Sequence, residues 1–423
     1  MHVIVVGGGV VALACAYRLA RAGCVVTVIE ARTVGSAASH GNAAKVARAE
    51  CGPVPAPGAL LQGLRWMLKA DSPLYVKPSL APDFVRFMLK MARHCNERDF
   101  RIGLDVTLRM VSDANDLFDE YTTDGIEFEM HTAGVLLAFE TRERYRDHCE
   151  FLRAWEEFGL VPTHLDRDGV QQAEPALSTR IRHGLLFDQD RQIEPDSLTC
   201  GLVKRCVELG VEIREYTRVK SFFTADDTFR GVVTESGEDI AGDTLLLAAG
   251  VWSGPLSRQL GAPVPIRPGK GYSIDYSPAP VQLNHSLTLE DARVAATPLD
   301  GFLRLAGTME FGGFDERVNA TRVGAIRRAA AENLDGWDDP PGAAIPWAGL
   351  RPMTPDGLPV IGRLDRFANA YMASGHGMLG LTLAPGTAEL VSAQILGAGE
   401  RSDASDIADI VSPQRFSSRR RVR

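Results

Sequence analysis

The fold is decided by the stretch HVIVVGGGVVALACAYRLARAGCVVTVIE, which occupies residues 2–30. A β-branched run at 2–6 is followed by the glycines 7–9, a helix-forming run at 10–22 and a second apolar run at 24–29. These patterns predict a strand, a tight turn, an α-helix and a second strand. This order is typical of the crossover unit of a parallel sheet.

The glycine turn also has the spacing of a dinucleotide-binding site. Gly7 allows the tight turn, Gly9 lets the backbone approach a pyrophosphate, and Ala12 is small enough for close helix–strand packing. The N-terminus of the helix attracts phosphate charge. Glu30 lies at about the 20-residue distance at which a carboxylate binds ribose hydroxyls, and its charge disfavours NADP. The stretch therefore predicts an ADP-containing cofactor and leaves NAD and FAD open.

Composition and charge narrow the class of protein. The 423 residues are enough for two or three domains, and 45% apolar with 24% charged residues exclude a disordered or collagen-like chain. A formal net charge of −8 argues against a nucleic-acid-binding surface. We expect the one basic run, Arg419–Arg423, to be a disordered, solvated tail.

Cysteine usage and hydropathy bear on location. The seven cysteines are scattered and show no metal-ligand spacing, so we expect no metal and a reduced, cytoplasmic setting. No apolar window is long enough to span a membrane, and since the sequence does not open with a basic leader and an apolar stretch, we expect no export.

Further patterns organise the rest of the chain. Residues 33–58 are rich in small and turn-forming residues, which predicts a polar loop on the surface or at a polar ligand. Residues 59–122 look helical, and their apolar stripes, including Leu60–Leu68, face either a core or a membrane or partner surface. Thr244–Ala248 predicts a buried strand of the N-terminal sheet, which makes the nucleotide-binding domain discontinuous. Further helices are predicted at 143–158, 195–209, 323–334 and 384–396.

Several segments carry a resemblance to a known family. Beside the N-terminal stretch, they are SHGNA (39–43), EPAL (174–177), TLLLAAGVWS (244–253), KGYS (270–273), GLRPMTPDGLPVIG (349–362) and GHGMLG (375–380). Together the chain resembles the FAD-dependent D-amino-acid oxidase superfamily, and within it the bacterial D-amino-acid dehydrogenases. Ala12 replaces the usual third glycine, and His40 and Ala44 stand where alanine and glycine are usual. The last two departures bear on the substrate more than on the flavin.

The resemblance implies an α/β protein with an FAD-binding Rossmann-like domain of the glutathione-reductase type and a substrate domain built on an antiparallel sheet. The FAD-binding domain would comprise residues 1–85, 186–262 and 341–423, the last ending in the disordered basic tail. The substrate domain would comprise residues 86–185 and 263–340. FAD would be bound non-covalently.

The implied reaction is the oxidation of an amino acid. Family members remove a hydride from the α-carbon, and the imino acid hydrolyses to a 2-oxo acid and ammonium. Dehydrogenase members pass the electrons to a quinone or another carrier, so the expected partners are an amino-acid substrate and an electron acceptor. Quinone reduction would favour peripheral contact with the inner face of the plasma membrane, for which Leu60–Leu68 is the candidate surface.

Three residues receive catalytic roles. Arg351 lies on a proline-bounded turn, and the matching arginine of the family binds the substrate carboxylate; the alternative is a structural ion pair. The Tyr272 hydroxyl would also bond the carboxylate, or Tyr272 is an ordinary sheet residue. His376 would handle a proton or, as we favour, belong to the flavin site or to packing.

The resemblance also assigns residues to the cofactor. Glycines and amides before the helix at 384–396 would stabilise negative charge on the flavin, while Val219 would contact adenine through its backbone. The complete set is Gly7, Gly9, Ala12, Glu30, Ser39, His40, Asn42, Val219, Ala249, Gly250, Gly375, Gly377, Met378 and Gly380.

Other functions remain open at this point. A narrower enzyme would act on a cyclic secondary amine such as D-proline or cis-4-hydroxy-D-proline, and a true oxidase would act on glycine or sarcosine. A flavin-binding subunit without turnover is disfavoured by the intact Arg351 region and the glycine clusters.

Overall fold

A computed structural model of the chain describes residues 1–59, 63, 72–338, 344–397 and 405–417. The apolar stripe Leu60–Leu68, apart from position 63, and the basic run Arg419–Arg423 lie outside the described residues. In the described ranges, no helix combines the length and the apolar character needed to cross a membrane.

The described α-helices are α1 (Val10–Arg21), α2 (Pro82–His94), α3 (Glu97–Val111), α4 (Ala114–Thr123), α5 (Arg142–Glu156), α6 (Arg167–Ala173), α7 (Pro195–Glu208), α8 (Ser253–Gln259), α9 (Ala320–Asn333), α10 (Gly380–Leu396) and α11 (Ser405–Val411). The described strands are β1 (His2–Val6), β2 (Val25–Ile29), β3 (Lys45–Val46), β4 (Leu74–Val76), β5 (Met130–His131), β6 (Val135–Phe139), β7 (Thr163–Leu165), β8 (His183–Phe187), β9 (Arg191–Ile193), β10 (Glu212–Arg214), β11 (Val219–Ala225), β12 (Thr228–Thr234), β13 (Asp239–Ala241), β14 (Thr244–Leu247), β15 (Arg267–Tyr276), β16 (Ser286–Leu289), β17 (Val294–Leu299), β18 (Phe302–Phe311), β19 (Ala344–Met353), β20 (Val360–Arg363) and β21 (Ala370–Ser374).

The N-terminal stretch forms the predicted crossover at the centre of a parallel sheet. The strand order is β10-β2-β1-β14-β21-β20, and only the β20–β21 pair is antiparallel. Helix α1 begins after Gly9 and packs against α7 and α10. Its small residues, Ala12, Ala14 and Ala16, are fully buried, so the helix can lie close to the strands.

A second, larger sheet has nine strands, and the remaining described strands form two three-stranded sheets, β11-β12-β13 and β3-β9-β5. Its order is β19-β15-β18-β17-β16-β6-β8-β7, with β4 added beside β18. All pairs are antiparallel except β16–β6 and β18–β4. The two sheets confirm the predicted α/β class with one parallel and one mainly antiparallel sheet.

Two strands do not follow the predicted domain boundaries. Strand β19 lies within the range 341–423, which the sequence assigned to the FAD-binding domain, but it pairs with β15 from Ala344 to Met353 and belongs to the large sheet. Strand β4 lies within the range 1–85 and pairs with β18. In both cases the backbone of the added strand forms its hydrogen bonds with a strand of the large sheet. This pairing joins residues that are far apart in the sequence, so no local pattern predicts it.

The loop at 39–43 joins the two sheets. The Arg304 guanidinium donates to the carbonyls of His40 (2.9 Å) and Asn42 (3.2 Å), and it also pairs with Asp275. The Thr297 hydroxyl donates to the Ala43 carbonyl at 2.8 Å. The large sheet therefore fixes a loop that starts from the crossover of the parallel sheet.

The C-terminal segment folds back onto the turn that follows β19. Arg415 donates to both carboxylate oxygens of Asp356, at 2.7 and 3.2 Å, and to the Leu358 carbonyl at 2.9 Å. Val411 of α11 is completely buried. The described part of the C-terminal segment is thus folded.

Candidate active site

A cavity of about 730 Å³ lies between the two sheets. It extends from the crossover of the parallel sheet to β19 and the loop before α10. The predicted site residues that line it are Gly7, Gly9, Glu30, Ser39, Asn42, Val219, Ala249, Gly250, Arg351, His376, Gly377, Met378 and Gly380. Those that do not line it are Ala12, His40, Tyr272 and Gly375.

The crossover end of the cavity is built by close backbone approach. Gly7 has a φ of +117°, and a β-carbon there would lie 2.4 Å from the Ala248 carbonyl oxygen, so only glycine fits. Glu30 accepts hydrogen bonds from the backbone N–H groups of Gly8 (2.7 Å) and Arg32 (2.8 Å). The first N–H of α1, on Val10, bonds to the Ser39 hydroxyl at 3.0 Å. A carboxylate and a helix N-terminus thus lie side by side on the cavity wall.

Arg32 and Glu316 join the two sides of the cavity. The Arg32 guanidinium donates to both Glu316 oxygens, at 3.1 and 3.3 Å, and lies 5.0 Å from the ring centroid of Trp252. Arg32 follows β2 of the parallel sheet, whereas Glu316 follows β18 of the large sheet. We call this ion pair the clasp; all three residues line the cavity.

At the other end lies Arg351, a cation with no ion-pair partner in the part of the chain that the structure describes. Its Nη1 donates to the Thr308 carbonyl at 2.9 Å, and no described carboxylate lies within ion-pair distance of it. The surrounding protein lowers its pKa to about 10 by burial, yet the guanidinium stays charged at neutral pH. Thr308 has a φ of 65°, a strained value for a β-branched residue. The alternative of a structural ion pair therefore finds no support in the described ranges, where Arg351 has a carbonyl but no carboxylate as its partner.

The Arg351 guanidinium lies over Gly271 of the neighbouring strand β15. A β-carbon at residue 271 would be 2.1–2.2 Å from the guanidinium atoms. The next residue, Tyr272, is buried on the opposite face, and its hydroxyl donates to Glu310 at 2.7 Å. Since successive side chains of a strand alternate between faces, Gly271 and Tyr272 cannot both face the cavity. The predicted contact of Tyr272 with a substrate carboxylate does not match this geometry.

His376 lines the cavity but is a neutral residue. Its Nε2 bonds to the Thr387 hydroxyl at 3.0 Å, and burial lowers its pKa to about 4. The ring is 5% exposed, so it holds no charge near neutral pH. This setting is compatible with the alternative that we favour over proton handling, a residue of the flavin site or of packing, which stays a prediction.

His40 lies behind the cavity wall. Its Nδ1 bonds to Asp196 at 2.7 Å, and this hydrogen bond raises the pKa of the imidazole. Its ring contacts the edge of Trp347, with centroids 5.6 Å apart. Ala12 is buried in the core under the sheet, and Gly375 has Thr354 against it. His40 and Ala12 thus contact residues that line the cavity or pack beneath them, and neither residue lines the cavity itself.

Trp347 lines the cavity and was missed by the sequence analysis. The indole lies across Gly349, where a β-carbon would be 1.9 Å from Cη2, and across Gly41, where it would be 2.0 Å from Cε3. Residues 347, 349 and 351 share one face of β19. Once Arg351 is assigned to the cavity, this alternation along a strand predicts that Trp347 faces the cavity as well.

Comparison with known proteins identifies the family. The family model described as "DAO: FAD dependent oxidoreductase" matches residues 2–394. The chain belongs to this family. It is therefore an FAD-dependent oxidoreductase, which confirms the predicted family and the predicted cofactor.

Two relatives of this FAD-dependent oxidoreductase are similar over nearly their whole length. The D-amino acid dehydrogenase of Methylobacterium radiotolerans is 33% identical over 419 residues, which cover 96% of this chain and 99% of that protein. The D-amino acid dehydrogenase of Rhizobium rhizogenes is 31% identical over 416 residues, with the same coverage of 96% and 99%.

Solved structures share the fold of this FAD-dependent oxidoreductase. Glycine oxidase from Geobacillus kaustophilus superposes with a TM-score of 0.75 and 22% identity, covering 96% of this chain and 97% of that one. L-proline dehydrogenase from P. horikoshii gives a TM-score of 0.73 and 19% identity, with 98% and 97% coverage.

The residues of the cavity fit FAD. The turn at Gly7 admits no side chain, Glu30 offers carboxylate oxygens beside it, and the N-terminus of α1 opens toward the same space. An elongated cavity with an anion-attracting helix end and an acidic edge suits an ADP-containing cofactor.

Proposed function

We propose that this FAD-dependent oxidoreductase is a D-amino-acid dehydrogenase. It would oxidise a D-amino acid at the α-carbon to an imino acid, which hydrolyses to a 2-oxo acid and ammonium. The name that the two relatives carry supports this reaction, with 33% and 31% identity over 96% of the chain. The observation that carries the proposal within the structure is Arg351, a cavity-lining cation without an acidic partner among the described residues.

Arg351 would bind the substrate carboxylate. A guanidinium offers two parallel N–H groups to the two oxygens of a carboxylate, and Nη1 of Arg351 already has one acceptor in Thr308. The charge is held in surroundings that lower its pKa, so an arriving anion meets little competition from water. Arg351 would thus orient the α-carbon as well as supply affinity.

The crossover end would hold the cofactor. Glu30 would accept hydrogen bonds from ribose hydroxyls, and the N–H groups at the start of α1 would face the pyrophosphate. Gly377, Met378 and Gly380, in the turn that leads into α10, would lie along the flavin. When bound, FAD supplies the ring system that accepts a hydride from the α-carbon.

Among the described residues, the side chains near Arg351 offer no strong general base, because burial lowers the pKa of His376 to about 4 and so makes its neutral imidazole a weak base. His376 is neutral and bonded to Thr387, and Tyr272 is bonded to Glu310 on the far face of β15. The chain would therefore act by orienting a neutral amine and by excluding water rather than by removing a proton with His376 or Tyr272.

The electron acceptor would be a quinone or another electron carrier. The relatives are named dehydrogenases rather than oxidases, which supports an acceptor other than oxygen. Peripheral contact with a membrane remains part of this proposal. Co-sedimentation with anionic liposomes tests it, and protein that stays in the supernatant would contradict it.

An anaerobic panel of D- and L-amino acids with an artificial dye acceptor tests the main proposal. We expect several D-amino acids to bleach the flavin and reduce the dye, and we expect their L-enantiomers to do neither. The same panel in air, with detection of peroxide, should yield little peroxide.

Other outcomes would point to different enzymes. Bleaching by D-proline or cis-4-hydroxy-D-proline alone would indicate the cyclic-amine enzyme. Bleaching by glycine or sarcosine alone, with peroxide in air, would indicate an oxidase and overturn the proposal. A flavin that no amine reduces would indicate a protein without turnover.

A further inference from the structure

The position of Trp347 relative to Arg351 follows from the pairing of β15 with β19. Gly271 faces Gly349 directly in this register. The Arg351 guanidinium occupies the space of a side chain at Gly271, and the Trp347 indole occupies that space at Gly349. The two facing glycines have no side chains, and the space above them is thus filled by a cation and by an aromatic ring.

This arrangement limits the distance between the ring and the cation. The β-carbon positions of facing residues lie about 4.5–5.5 Å apart. The guanidinium atoms lie 2.1–2.2 Å from one such position, and Cη2 of the indole lies 1.9 Å from the other. The tip of the indole is therefore within about 10 Å of the guanidinium, close enough for one small amino acid to contact both.

The indole is held from behind. Its Cε3 edge lies against Gly41, and the His40 ring contacts it at a centroid distance of 5.6 Å. His40 is bonded to Asp196, and Arg304 binds the carbonyl of His40. Because the loop at 39–43 is fixed by these contacts, the Gly41 backbone and the His40 ring oppose movement of the indole toward that side.

We propose that Trp347 determines substrate size: its indole is the wall that the substrate side chain meets when the carboxylate is bound to Arg351. The inference rests on the proposed function and specifies it further. The substrates would be amino acids with small side chains, and those with large aromatic side chains would be excluded by contact with Trp347 rather than by charge.

The test compares two Trp→Leu variants at opposite ends of one cavity. In Trp347→Leu, we expect the ratio of kcat/KM for D-phenylalanine to that for D-alanine to rise about tenfold or more, because a ring-sized space opens near Arg351. In Trp252→Leu, which changes the clasp end, we expect this ratio to stay as in the wild type. FAD content is measured by absorbance for each variant, and rates are expressed per bound flavin.

A binding experiment without turnover makes the inference testable apart from the proposed function. Acetate and phenylacetate serve as carboxylate probes, and their Kd values are measured by titration calorimetry of the flavin-loaded protein. The wild type should favour acetate. In Trp347→Leu the Kd ratio should shift toward phenylacetate by about tenfold, and in Trp347→Phe by less.

Failure of the inference and failure of the proposed function give different results. If the wild type oxidises D-amino acids but Trp347→Leu changes neither the kcat/KM ratio nor the Kd ratio, Trp347 does not set substrate size. Loss of FAD affinity in Trp347→Leu with both ratios unchanged would likewise overturn it, since the ring would then serve the cofactor. If no amine reduces the flavin, the proposed function fails and the Kd ratio alone decides the role of Trp347.

Discussion

The Arg351 guanidinium fills the space above Gly271, so close that a β-carbon at residue 271 would be 2.1 Å from Nη1. A methyl group there must displace the guanidinium, because contacts below 3.0 Å are not tolerated. The orientation of Arg351 thus depends on the absence of a side chain on the neighbouring strand.

Gly271→Ala should therefore impair substrate binding by displacing the Arg351 guanidinium. We expect KM for the best D-amino acid to rise about tenfold or more, with FAD content unchanged, since a displacement of about 1 Å in a positioning group can cost a hundredfold in rate. Steady-state kinetics and flavin absorbance measure both. Gly324→Ala in α9 is the control, because its β-carbon would meet only the end of Arg328 at 3.5 Å. Equal KM values for Gly271→Ala and the wild type would contradict this prediction.

Arg351→Ala should raise KM by about a hundredfold or abolish turnover while FAD stays bound. Removing one partner of a buried, hydrogen-bonded charge pair costs about 2–5 kcal/mol. Arg351→Lys should recover only part of the loss, because an ammonium cannot form the two parallel bonds of a guanidinium. Arg363→Ala, at an exposed arginine of β20, should behave like the wild type. An unchanged KM in Arg351→Ala would remove the role of Arg351 as carboxylate anchor.

His376 should make the protein less stable in acid. Its pKa is about 4 in the folded protein, against about 6.5 in the unfolded chain. Above pH 6.5 both states are neutral and stability is unaffected. As the pH falls from 6.5 to 4, only the unfolded chain takes up the proton, so this residue lowers the free energy of unfolding by up to about 3 kcal/mol.

Denaturant unfolding of the wild type and His376→Gln at pH 7.5 and pH 5 isolates this contribution. We expect the stability difference between the two proteins to shift in favour of His376→Gln at pH 5. If the difference is the same at both pH values, His376 does not titrate as its burial indicates.

Breaking the clasp should speed the release of FAD. Arg32 and Glu316 are each about one-third exposed, so their ion pair contributes about 0.2–1 kcal/mol and is screened by salt. Glu316→Gln should accelerate FAD dissociation about two- to fivefold, followed by the fluorescence of released flavin after dilution. Added salt should accelerate release in the wild type and have less effect in the variant. Glu238→Gln, which breaks the Arg214 pair away from the cavity, should release FAD at the wild-type rate.

The features that sequence alone predicted correctly are local ones. The spacing from Gly7 to Glu30 lies within one strand–helix–strand unit, and the geometry of that unit is the same wherever it occurs. The helices predicted at 195–209 and 323–334 form within a few residues of those bounds, as Pro195–Glu208 and Ala320–Asn333. The motif around Arg351 placed a cation at the cavity, but the turn predicted there was wrong, because Arg351 and Pro352 lie in strand β19 and pair with β15.

The features that sequence did not predict depend on which strands pair and on which face each residue takes. Tyr272 and Gly271 are neighbours in strand β15, so their side-chain positions lie on opposite faces of the sheet. The sequence does not show which of the two faces the cavity. Trp347 reaches the site across Gly349, which leaves space for the indole because it carries no side chain. His40 forms a hydrogen bond with Asp196, which is 156 positions away, and no local sequence pattern predicts such a partner.

The Arg415–Asp356 pair connects the far end of the described chain to the turn that follows the strand bearing Arg351. Asp356 lies in the turn that directly follows the strand bearing Arg351, and burial would raise its pKa, but Arg415 keeps it below the usual range. Trimming the protein before Pro413 would remove Arg415 and leave the buried Asp356 carboxylate without its guanidinium partner. A truncation that removes Arg415 is therefore a change to the turn that follows the strand bearing Arg351.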